Sequence, residues 1–464
     1  MILRDNEDTI VALATPAGEG AIAVIRLSGP EAIQISEKCF RGKTALKSQP
    51  SHTVQLGKII DLRNKTIDEV LCTLFKAPKS YTGEDVVEFG CHGGQFIVKK
   101  VMETFVVAGA RPADPGEFTK RAFLNGKMDL SQAEAIADLI HAQSDRAHTA
   151  SLEQLEGKLA RNIRQARDRL IDALKLLELE LDFIEEDLEF VDKSKVLTLI
   201  EGVLSEIDVL LDSFRFGKIW REGIRAAIVG APNVGKSSIL NALLGHERAI
   251  VTHIPGTTRD FIEENLIIDG ILFRISDTAG IRETEDFVER EGVKRTRQII
   301  EKSDISMIVV DCSREMPEEE RLFIQEIFNQ NKFAVILVEN KIDLAAAESG
   351  RLIELPKNLT KIRTSALQGI GIEELKSTLS SFTGSAKVSS SDSSAAVTSR
   401  RHQTSLLHAK EGLEDAIDSL SKKASNEFIA IDLRAALDAL GEIIGEVTTE
   451  DILNDIFSKF CIGK

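Results

Sequence analysis

Three patterns of apolar and polar positions follow one another along the chain. Up to about residue 125, short apolar runs at 10–14, 21–27 and 86–89 are interrupted by Gly and Pro, a pattern typical of a compact domain that mixes strands and helices. From about Ser131 apolar residues recur at spacings of four and three, which indicates long helices. The clearest series is Leu170, Leu174, Leu177, Leu181, Ile184 and Leu188. Because it lasts only a few turns, we interpret it as the core of a helix bundle rather than an extended coiled coil.

Strand-like and helix-like segments alternate between residue 223 and about residue 382. Strands are predicted at 226–229, 262–268, 271–275, 305–310 and 333–338. Such alternation is typical of a doubly wound, mostly parallel sheet. Residues 384–396 are rich in Ser and too polar to pack, so we predict a flexible crossing between domains. Helical periodicity then returns, which predicts one helical domain with an α/β unit inserted into it.

The charge balance argues against one broad class of protein. The chain of 464 residues has 58 basic and 74 acidic side chains, a net charge of −16. Such a surface repels a phosphate backbone on average, which argues against non-specific nucleic-acid binding over the whole molecule. A local basic patch, or a partner that carries the nucleic acid, stays open. One Trp and one Tyr are too few for the stacking platform of a single-strand binder.

The remaining composition favours a cytoplasmic protein. No stretch reaches the roughly 18 uninterrupted apolar residues that a membrane span needs. Residues 1–8 lack the basic-then-apolar pattern of an export signal, so we expect no export. The five cysteines share no metal-ligand spacing, which indicates reduced thiols rather than disulfides or a zinc site. They are Cys39, Cys72, Cys91, Cys312 and Cys461.

Residues 230–237 carry the strongest chemical signal. Their sequence, Gly230-Ala-Pro-Asn-Val-Gly235-Lys236-Ser237, has the spacing of a phosphate-binding loop and stands between a predicted strand and a predicted helix. Glycines let backbone N–H groups approach phosphate oxygens, and the helix N-terminus adds a favourable dipole. In this pattern Lys236 neutralises the β- and γ-phosphates and Ser237 binds Mg²⁺. The flanking strand and helix disfavour the alternative, a merely structural Gly-rich turn.

Three shorter motifs follow in the order typical of a GTPase. Asp277-Thr-Ala-Gly280 would bring a carboxylate near Mg²⁺ and a glycine N–H near the γ-phosphate. Asn340-Lys-Ile-Asp343 ends in a carboxylate that can accept hydrogen bonds from guanine N1–H and N2–H₂, a donor pair that adenine lacks. Thr364-Ser365-Ala366 would complete the base pocket. Each motif alone is weak, but their order and spacing predict a GTPase domain.

We therefore expect GTP to contact these motifs and the switch segment between them. The expected contacts are Asn233, Val234, Gly235, Lys236, Ser237, Ser238, Thr252, His253, Ile254, Pro255, Gly256, Thr257, Thr258, Asp277, Thr278, Ala279, Gly280, Asn340, Lys341, Asp343, Ser365 and Ala366. Two of them, Ser237 and Thr258, are the expected Mg²⁺ ligands.

Two positions depart from a Ras-like GTPase. Ile281 follows Gly280 where a water-orienting Gln is usual, and an isoleucine cannot polarise water. Hydrolysis must therefore use another group. Asn233 lies in the phosphate loop, and its oxygen plus backbone carbonyls beside the phosphates could form a nest for a monovalent cation. Such a cation would substitute for an arginine finger.

Segments outside the GTPase motifs identify a family. They are Ala14-Thr-Pro-Ala-Gly, Ile25-Arg26-Leu-Ser-Gly29, Tyr81-Thr-Gly-Glu-Asp-Val-Val-Glu88, His92-Gly-Gly94, Arg111-Pro-Ala-Asp-Pro-Gly-Glu-Phe118, Arg121-Ala-Phe-Leu-Asn-Gly-Lys127, Asp129-Leu-Ser-Gln-Ala-Glu-Ala135 and Phe460-Cys461-Ile-Gly-Lys464. Together with the GTPase motifs they closely resemble the MnmE (TrmE) family of tRNA-modification GTPases. The resemblance covers nearly the whole chain and is weakest at 152–217 and in the Ser-rich stretch.

The resemblance implies an α/β multidomain protein. Residues 1–127 would form an α+β domain, similar to folate-dependent aminomethyltransferases, that binds tetrahydrofolate and dimerises. Residues 128–218 and 384–464 would form the helical domain, with a Ras-like, doubly wound GTPase domain at 219–383 inserted into it. The division based on apolar patterns agrees with this arrangement.

The resemblance also implies partners and cofactors. With the flavoprotein MnmG, the family adds an aminomethyl or carboxymethylaminomethyl group to C5 of the wobble uridine in tRNA. The one-carbon unit comes from 5-formyl- or 5,10-methylene-tetrahydrofolate. FAD and NADH would belong to the partner, since this chain has no dinucleotide fingerprint. The implied assembly is a homodimer that joins MnmG as a heterotetramer in the cytoplasm, without a membrane.

Several residues match functional positions of the family. Arg26, Glu88, Lys127 and Lys464 match its folate contacts. K⁺ would be held by Asn233 and by the carbonyls of Thr252, Ile254 and Thr257 while two GTPase domains close on each other. Glu289 matches its catalytic group, which acts through a bridging water. Structural roles without a ligand stay open. Glu88 and Lys127 could instead form surface ion pairs, and Glu289 could simply be a solvated carboxylate of a loop.

Two other function classes stay open on the sequence alone. One is a GTPase that acts only as a switch or assembly factor, for example on ribosomes. Such proteins usually carry basic RNA-binding modules, which this chain lacks. The other is a folate-dependent one-carbon transferase in which the GTPase domain is regulatory.

Overall fold

The structure is a computed structural model. It describes residues 8–182, 193–245, 263–277, 297–330, 334–344, 359–382, 396–422 and 424–464. The chain divides into two compact units. The first unit contains 1–140, 154–207 and 404–464, and the second contains 141–153 and 208–403.

A seven-stranded sheet opens the first unit. Its strands are β1 (Ile10–Leu13), β2 (Ile22–Ser28), β3 (Phe40–Gly42), β4 (Thr53–Ile60), β5 (Thr66–Phe75), β6 (Val86–His92) and β7 (Arg111–Pro112). They lie in the order β3-β4-β5-β6-β2-β1-β7. Neighbours are antiparallel except β1 and β7, which are parallel. Buried and more exposed positions alternate along β5, as expected for a sheet with one face packed on a core.

Helices occur in both units. In chain order they are α1 (Ala32–Cys39), α2 (Gln95–Ala108), α3 (Glu117–Leu124), α4 (Leu130–His141), α5 (Asp145–Leu155), α6 (Lys158–Asp182), α7 (Lys193–Glu222), α8 (Lys236–Leu244), α9 (Glu318–Gln330), α10 (Ile372–Ser381), α11 (Arg400–Ser421), α12 (Asn426–Ile444) and α13 (Glu450–Phe457). Residues 297–302 are also helical, and 46–48 form a short 3₁₀ turn.

Helices α1 and α2 pack on one face of the seven-stranded sheet. Between them, the ring of Phe89 stacks on Phe105 with centroids 4.9 Å apart and lies 5.6 Å from the ring of Phe40. All three rings are buried. Because aromatic rings bury large areas and gain further from this offset contact, the cluster anchors the core of the sheet.

Helices α6 and α12 pack along each other in the first unit. Leu170 and Leu177 of the predicted leucine series are fully buried in α6. Arg434 of α12 donates a 2.7 Å hydrogen bond to the carboxylate of Glu178 on α6. The bundle interpretation therefore holds for the part of the series within 158–182, whereas Ile184 and Leu188 lie outside the described residues.

The second unit contains a six-stranded sheet that is covered on both faces. Its strands are β8 (Ile224–Val229), β9 (Glu263–Ile268), β10 (Ile271–Asp277), β11 (Ile305–Asp311), β12 (Ala334–Asn340) and β13 (Thr360–Arg363). The order is β13-β12-β11-β8-β10-β9, and only β9 runs antiparallel to its neighbour. Helices α8 and α10 cover one face, and α9 with residues 297–302 covers the other. The first six residues of β11 are buried, as expected for a central strand of such a sheet.

The predicted fold class is confirmed: a mixed sheet domain, a helical part and a doubly wound, mostly parallel sheet. The predicted strands appear as β8 to β12 with ends that differ by up to two residues. The Ser-rich stretch lies outside the described residues except for Ala396. Among the helices that the structure describes, none is long and apolar enough to cross a bilayer. The boundaries of the three domains stay predictions.

Truncation of Phe89 tests the aromatic cluster. We expect Phe89→Ala to destabilise the first unit by about 3–5 kcal/mol, because it removes a buried ring and leaves a cavity. Phe96→Ala is the matched control, since the ring of Phe96 is 74% exposed and its loss should change stability by less than about 0.5 kcal/mol. Urea unfolding, followed by hydrogen exchange of peptides from 10–112, measures both. Equal losses would contradict the assignment of the core.

Candidate functional site

The phosphate loop joins the end of β8 to the start of α8. Gly230 and Gly235 have φ angles of +153° and +99°, in the region that favours glycine. A Cβ on Gly230 would overlap the carbonyl oxygen of Val309, and one on Gly235 would overlap the side-chain nitrogen of Asn340. The loop therefore needs glycine at both positions for backbone conformation and for space.

Lys236 turns its side chain back into the loop. Its Nζ donates 2.9 Å hydrogen bonds to the carbonyl oxygens of Gly230 and Ala231. Burial lowers the pKa of this ammonium, while the carboxylates of Asp277 and Glu320 act in the opposite direction. Those carboxylates favour the charged form. The loop thus holds a positive charge beside its backbone N–H groups, which suits a phosphate.

Ser237 and Asp277 bring two oxygen atoms together at the same edge of the sheet. Ser237 Oγ donates a 3.0 Å hydrogen bond to Asp277 Oδ2. The pairing of β10 with β8 in register aligns Asp277 with Ile228, just before the phosphate loop. A hydroxyl and a carboxylate are ligands that Mg²⁺ prefers. The other predicted Mg²⁺ ligand, Thr258, lies outside the described residues.

Asn340 links the phosphate loop to the loop that follows β13. Its Nδ2 donates a 3.0 Å hydrogen bond to the carbonyl oxygen of Val234. Its Oδ1 accepts hydrogen bonds from the backbone N–H of Ala366 at 3.1 Å and from Thr364 Oγ1 at 3.3 Å. The predicted base motifs therefore converge on the phosphate loop.

Lys341 reinforces this connection. Its Nζ donates a 2.8 Å hydrogen bond to the carbonyl oxygen of Asn233 and lies 2.7 Å from Asp311 Oδ2. Both Asn233 and Lys341 have positive φ angles, +62° and +64°. Strained backbone of this kind clusters at functional sites, where the surroundings hold it in place.

Asp343 and Ser365 lie on the two loops that Asn340 joins. The backbone N–H of Ile342 donates to the carbonyl of Thr364 at 3.2 Å, which places the two loops side by side. The half-buried carboxylate of Asp343 accepts no hydrogen bond from any residue that the structure describes. Its acceptor oxygens are therefore available to donors on a ligand.

The sequence analysis missed Asp311, Arg314 and Glu320. Although burial raises the pKa of the Asp311 carboxyl, hydrogen bonds from Lys341 and Ser313 hold it below its ordinary value. Burial raises the pKa of Glu320, against the opposing charge of Arg314, whose Nη2 lies 3.4 Å from Glu320 Oε2. The one available signal was the position of Asp311 at the carboxyl end of a buried strand, the edge where such sheets bind ligands.

Much of the predicted switch region lies outside the described residues. This applies to Thr252, His253, Ile254, Pro255, Gly256, Thr257, Thr258, Thr278, Ala279, Gly280, Ile281 and Glu289. Of the predicted K⁺ ligands, Asn233 alone is described.

The first unit brings Arg26, Glu88 and the C-terminal tail together. Arg26 and Glu88 stand directly opposite each other on β2 and β6, and Arg26 Nε donates a 2.7 Å hydrogen bond to Glu88 Oε1. The guanidinium lies 5.2 Å from the ring centroid of Tyr81, in cation–π contact. Its Nη1 lies 3.5 Å from the carbonyl oxygen of Gly463, the neighbour of Lys464. The Arg26–Glu88 pair is thus partly enclosed and presents one positive and one negative group.

Lys127 contacts the segment that carries Tyr81. Its Nζ donates a 3.0 Å hydrogen bond to the carbonyl oxygen of Pro78. A Cβ on Gly83 would lie 3.4 Å from Lys127 Cδ. Lys127 and Arg26 therefore both contact the loop that carries Tyr81. Within the described chain, no hydrogen bond or ion pair joins Lys127 to Arg26 or Glu88.

A buried ion network supports this loop, and the sequence analysis missed it. The side chain of Arg121 is only 3% exposed. It donates hydrogen bonds to Asp8 Oδ1 at 2.6 Å, to Glu117 Oε1 at 3.0 Å and to Glu84 Oε1 at 3.3 Å. Although burial raises the pKa of Glu117, hydrogen bonds from Arg111 and Arg121 hold it below its ordinary value. A buried arginine with three carboxylate partners fixes Glu84, at the end of the loop.

Two family profiles match the chain. The profile described as "GTP-binding protein TrmE N-terminus" matches residues 9–127. The profile described as "MnmE helical domain" matches residues 130–461.

Full-length relatives are similar from end to end. The protein named tRNA modification GTPase MnmE from Aquifex aeolicus is 46% identical over 458 residues, which cover 98% of this chain and 100% of the relative. The protein of that name from Bacillus subtilis is 43% identical over 462 residues, with 98% and 100% coverage. Among solved structures, Era from Aquifex aeolicus bound to GDP.AlF4- is 26% identical and covers 41% of this chain and 66% of that chain. Its TM-score of 0.29 is too low to bear on the fold.

Proposed function

The chain belongs to the MnmE family of tRNA modification GTPases, and we propose that it hydrolyses GTP within a complex that modifies C5 of the wobble uridine in tRNA. As a member of this family it is a GTP hydrolase that acts in tRNA modification. The observation that best supports the proposal is the convergence of the phosphate loop with the Asn340–Asp343 segment. Asn340 and Lys341 of that segment both donate hydrogen bonds to the phosphate loop, and we propose that Asp343 of the same segment selects guanine.

In the proposed site each described residue has a distinct role. Lys236 and the backbone N–H groups of the loop bind the β- and γ-phosphates. Ser237 and Asp277, 3.0 Å apart, suit Mg²⁺, which would neutralise charge on the phosphates when bound. Lys341 and Ala366 border the base, and Asp343 accepts hydrogen bonds from guanine. An adenine in this place would leave that carboxylate unpaired, which is costly in a partly buried pocket.

Substitution of Asp343 tests the base pocket. We expect Asp343→Asn to weaken GTP binding by about 100-fold or more, because the amide meets guanine N–H groups with a donor. Xanthosine triphosphate should gain affinity, since its C2 oxygen accepts a hydrogen bond from that amide. Titration of fluorescent nucleotides measures both affinities, with Asp212→Asn, an exposed position of α7, as the matched control. Unchanged GTP affinity in Asp343→Asn would exclude the assignment.

We propose the Arg26 region as the tetrahydrofolate site. A pterin offers ring N–H groups to a carboxylate such as Glu88, and the folate tail is anionic, which suits Arg26, Lys127 and Lys464. The 2.7 Å Arg26–Glu88 pair holds the carboxylate in place between β2 and β6. The carbonyl of Gly463 next to Arg26 supports a contribution from the tail.

Folate binding should be separable from GTP binding. We expect Arg26→Ala and Lys127→Ala to weaken binding of 5-formyltetrahydrofolate by about 10-fold to 100-fold, the range for loss of one charge-assisted hydrogen bond. GTP affinity should stay unchanged. Isothermal titration calorimetry measures both ligands, and Arg63→Ala, at an exposed position of the same unit, is the control. Wild-type folate affinity in both variants would rule out the site.

For hydrolysis we propose a K⁺ ion, a dimer of GTPase domains and Glu289. Ile281 cannot orient water, so another group must do so. K⁺ held by Asn233 and the carbonyls of Thr252, Ile254 and Thr257 would offset charge that develops on the γ-phosphate in the transition state. Glu289 would position the attacking water through a second water molecule. Several fixed oxygens suit K⁺ better than the smaller Na⁺.

Turnover in different salts tests this mechanism. We expect GTP hydrolysis to be at least about 10-fold faster in K⁺ than in Na⁺ at equal ionic strength, since charge stabilisation in the transition state is commonly worth more than that. Glu289→Ala should lower the rate by about 100-fold with little loss of GTP affinity. Glu285→Ala in the same acidic segment is the control. Equal rates in both salts would remove the cation from the mechanism, and a fully active Glu289→Ala would remove the glutamate.

The family resemblance implies a partner for this chain. We propose that this partner is the flavoprotein MnmG and that it carries FAD and uses NADH, since the 464 residues contain no dinucleotide fingerprint of their own. The acidic balance of the chain also suits a protein that leaves much of the tRNA binding to this partner.

Mass spectrometry of wobble nucleosides is the direct test of the proposed function. In tRNA from cells that lack this chain, we expect unmodified wobble uridine in place of the C5-aminomethyl forms. Expression of the wild-type chain should restore them, whereas a Lys236→Ala variant should not, because it removes the charge that binds the phosphates. Unchanged nucleosides in the deletion strain would refute the proposed function.

A further inference from the structure

A cavity of about 390 Å³ opens in the second unit at the starts of three parallel strands. Ile224, Ile305 and Ala334, the first residues of β8, β11 and β12, line it. The phosphate loop follows the carboxyl end of β8, whereas this cavity lies at its amino end. The cavity and the nucleotide site are therefore at opposite ends of the parallel strands. We refer to it as the basal cavity.

The basal cavity is strongly cationic. Arg215, Lys218, Arg225, Lys302 and Arg400 line it, against the two carboxylates of Glu222 and Asp304. Asp304 Oδ2 already accepts a 2.9 Å hydrogen bond from the backbone N–H of Arg225. Within the described part of the chain, none of the five cationic side chains forms a hydrogen bond or an ion pair. Among the described residues, the cavity therefore carries an excess of positive charge that no hydrogen bond or ion pair of these five side chains neutralises.

The five cations do not belong to one solvated helix face. Arg215 and Lys218 come from the end of α7, Arg225 from β8, Lys302 from the helical residues 297–302, and Arg400 from the start of α11. Four separate segments thus bring positive charges together in the basal cavity. Their mutual repulsion opposes folding. In a chain with a net charge of −16, such a concentration points to an anionic ligand.

We propose that the basal cavity binds the sugar–phosphate backbone of tRNA. The inference rests on the proposed function, which makes tRNA the polyanion that this chain must meet. Lys and Arg are the side chains that neutralise RNA phosphates. Half-buried Ile219 and Phe382 line the same cavity and give it an apolar wall, which suits the ribose and base faces between phosphates. The predominantly acidic surface would repel the tRNA elsewhere, so the cavity also sets where the tRNA docks.

Fluorescence anisotropy of labelled, unmodified tRNA tests the proposal on the full-length chain. The variants are Arg225→Gln with Lys302→Gln, and Arg215→Gln alone, which alter separate segments. We expect the double variant to bind tRNA about 10-fold more weakly near 0.1 M salt. The slope of the logarithm of the association constant against the logarithm of the salt concentration should decrease in magnitude by about 0.7–0.9 for each phosphate that the variant no longer neutralises. Arg215→Gln should show a smaller decrease in affinity. Lys361→Gln, an exposed cation of the same unit that does not line the cavity, should bind like the wild type.

The basal GTPase rate and GTP affinity of all variants should equal those of the wild type, because the nucleotide site is at the opposite end of the parallel strands. tRNA affinity of the cavity variants equal to that of Lys361→Gln, or no tRNA binding by the wild-type chain, overturns the proposal. So does a loss confined to binding of the purified flavoprotein partner, which would make the cavity a protein-docking site. Failure of the proposed function is distinct, since it appears as unchanged wobble nucleosides in the deletion strain.

Discussion

The side-chain amide of Asn340 is the interaction on which the geometry of the nucleotide site depends. It is buried, and it spans from the carbonyl of Val234 to the backbone N–H of Ala366. Loss of this amide would leave buried polar groups unpaired, at a cost of about 1–3 kcal/mol each. It would also release two loops that follow different strands. The asparagine of the predicted base motif thus connects the phosphate loop to the loop that follows β13.

Buried charge plays the same positioning role in both units. Lys236 is held against carbonyl oxygens with Asp277 and Glu320 nearby, and Arg121 is held among three carboxylates. In such networks the removal of one charged partner lowers the folding stability by more than the ion pair contributes to it, because the remaining charge stays buried without a partner. The loops 230–235 and 78–84 are therefore each held in place by a buried charged side chain, Lys236 in one and Arg121 in the other.

How much could be predicted from the sequence depended on how local each signal was. The phosphate loop and the strands beside it were predictable, because a short motif and a run of apolar residues carry their own structural information. Asp311, Glu320 and Arg121 were not, because their roles arise only when distant segments pack around them. The approach of Gly463 to Arg26, more than 400 positions apart in the chain, was available through family resemblance but from no periodicity. Sequence reasoning therefore predicted the motifs that the structure brings together and missed Asp311, Glu320 and Arg121, which pack around them.

The discontinuous first unit has a consequence for biosynthesis. Its helix α6 packs on α12, and the second unit occupies most of the sequence between them. During translation, residues 208–403 leave the ribosome before α12 exists, and they contain a complete sheet with both faces covered. That sheet can fold as soon as it emerges, whereas α6 must wait with its apolar stripe uncovered. The packing of α6 on α12 therefore forms only after the sequence of the second unit has been synthesised.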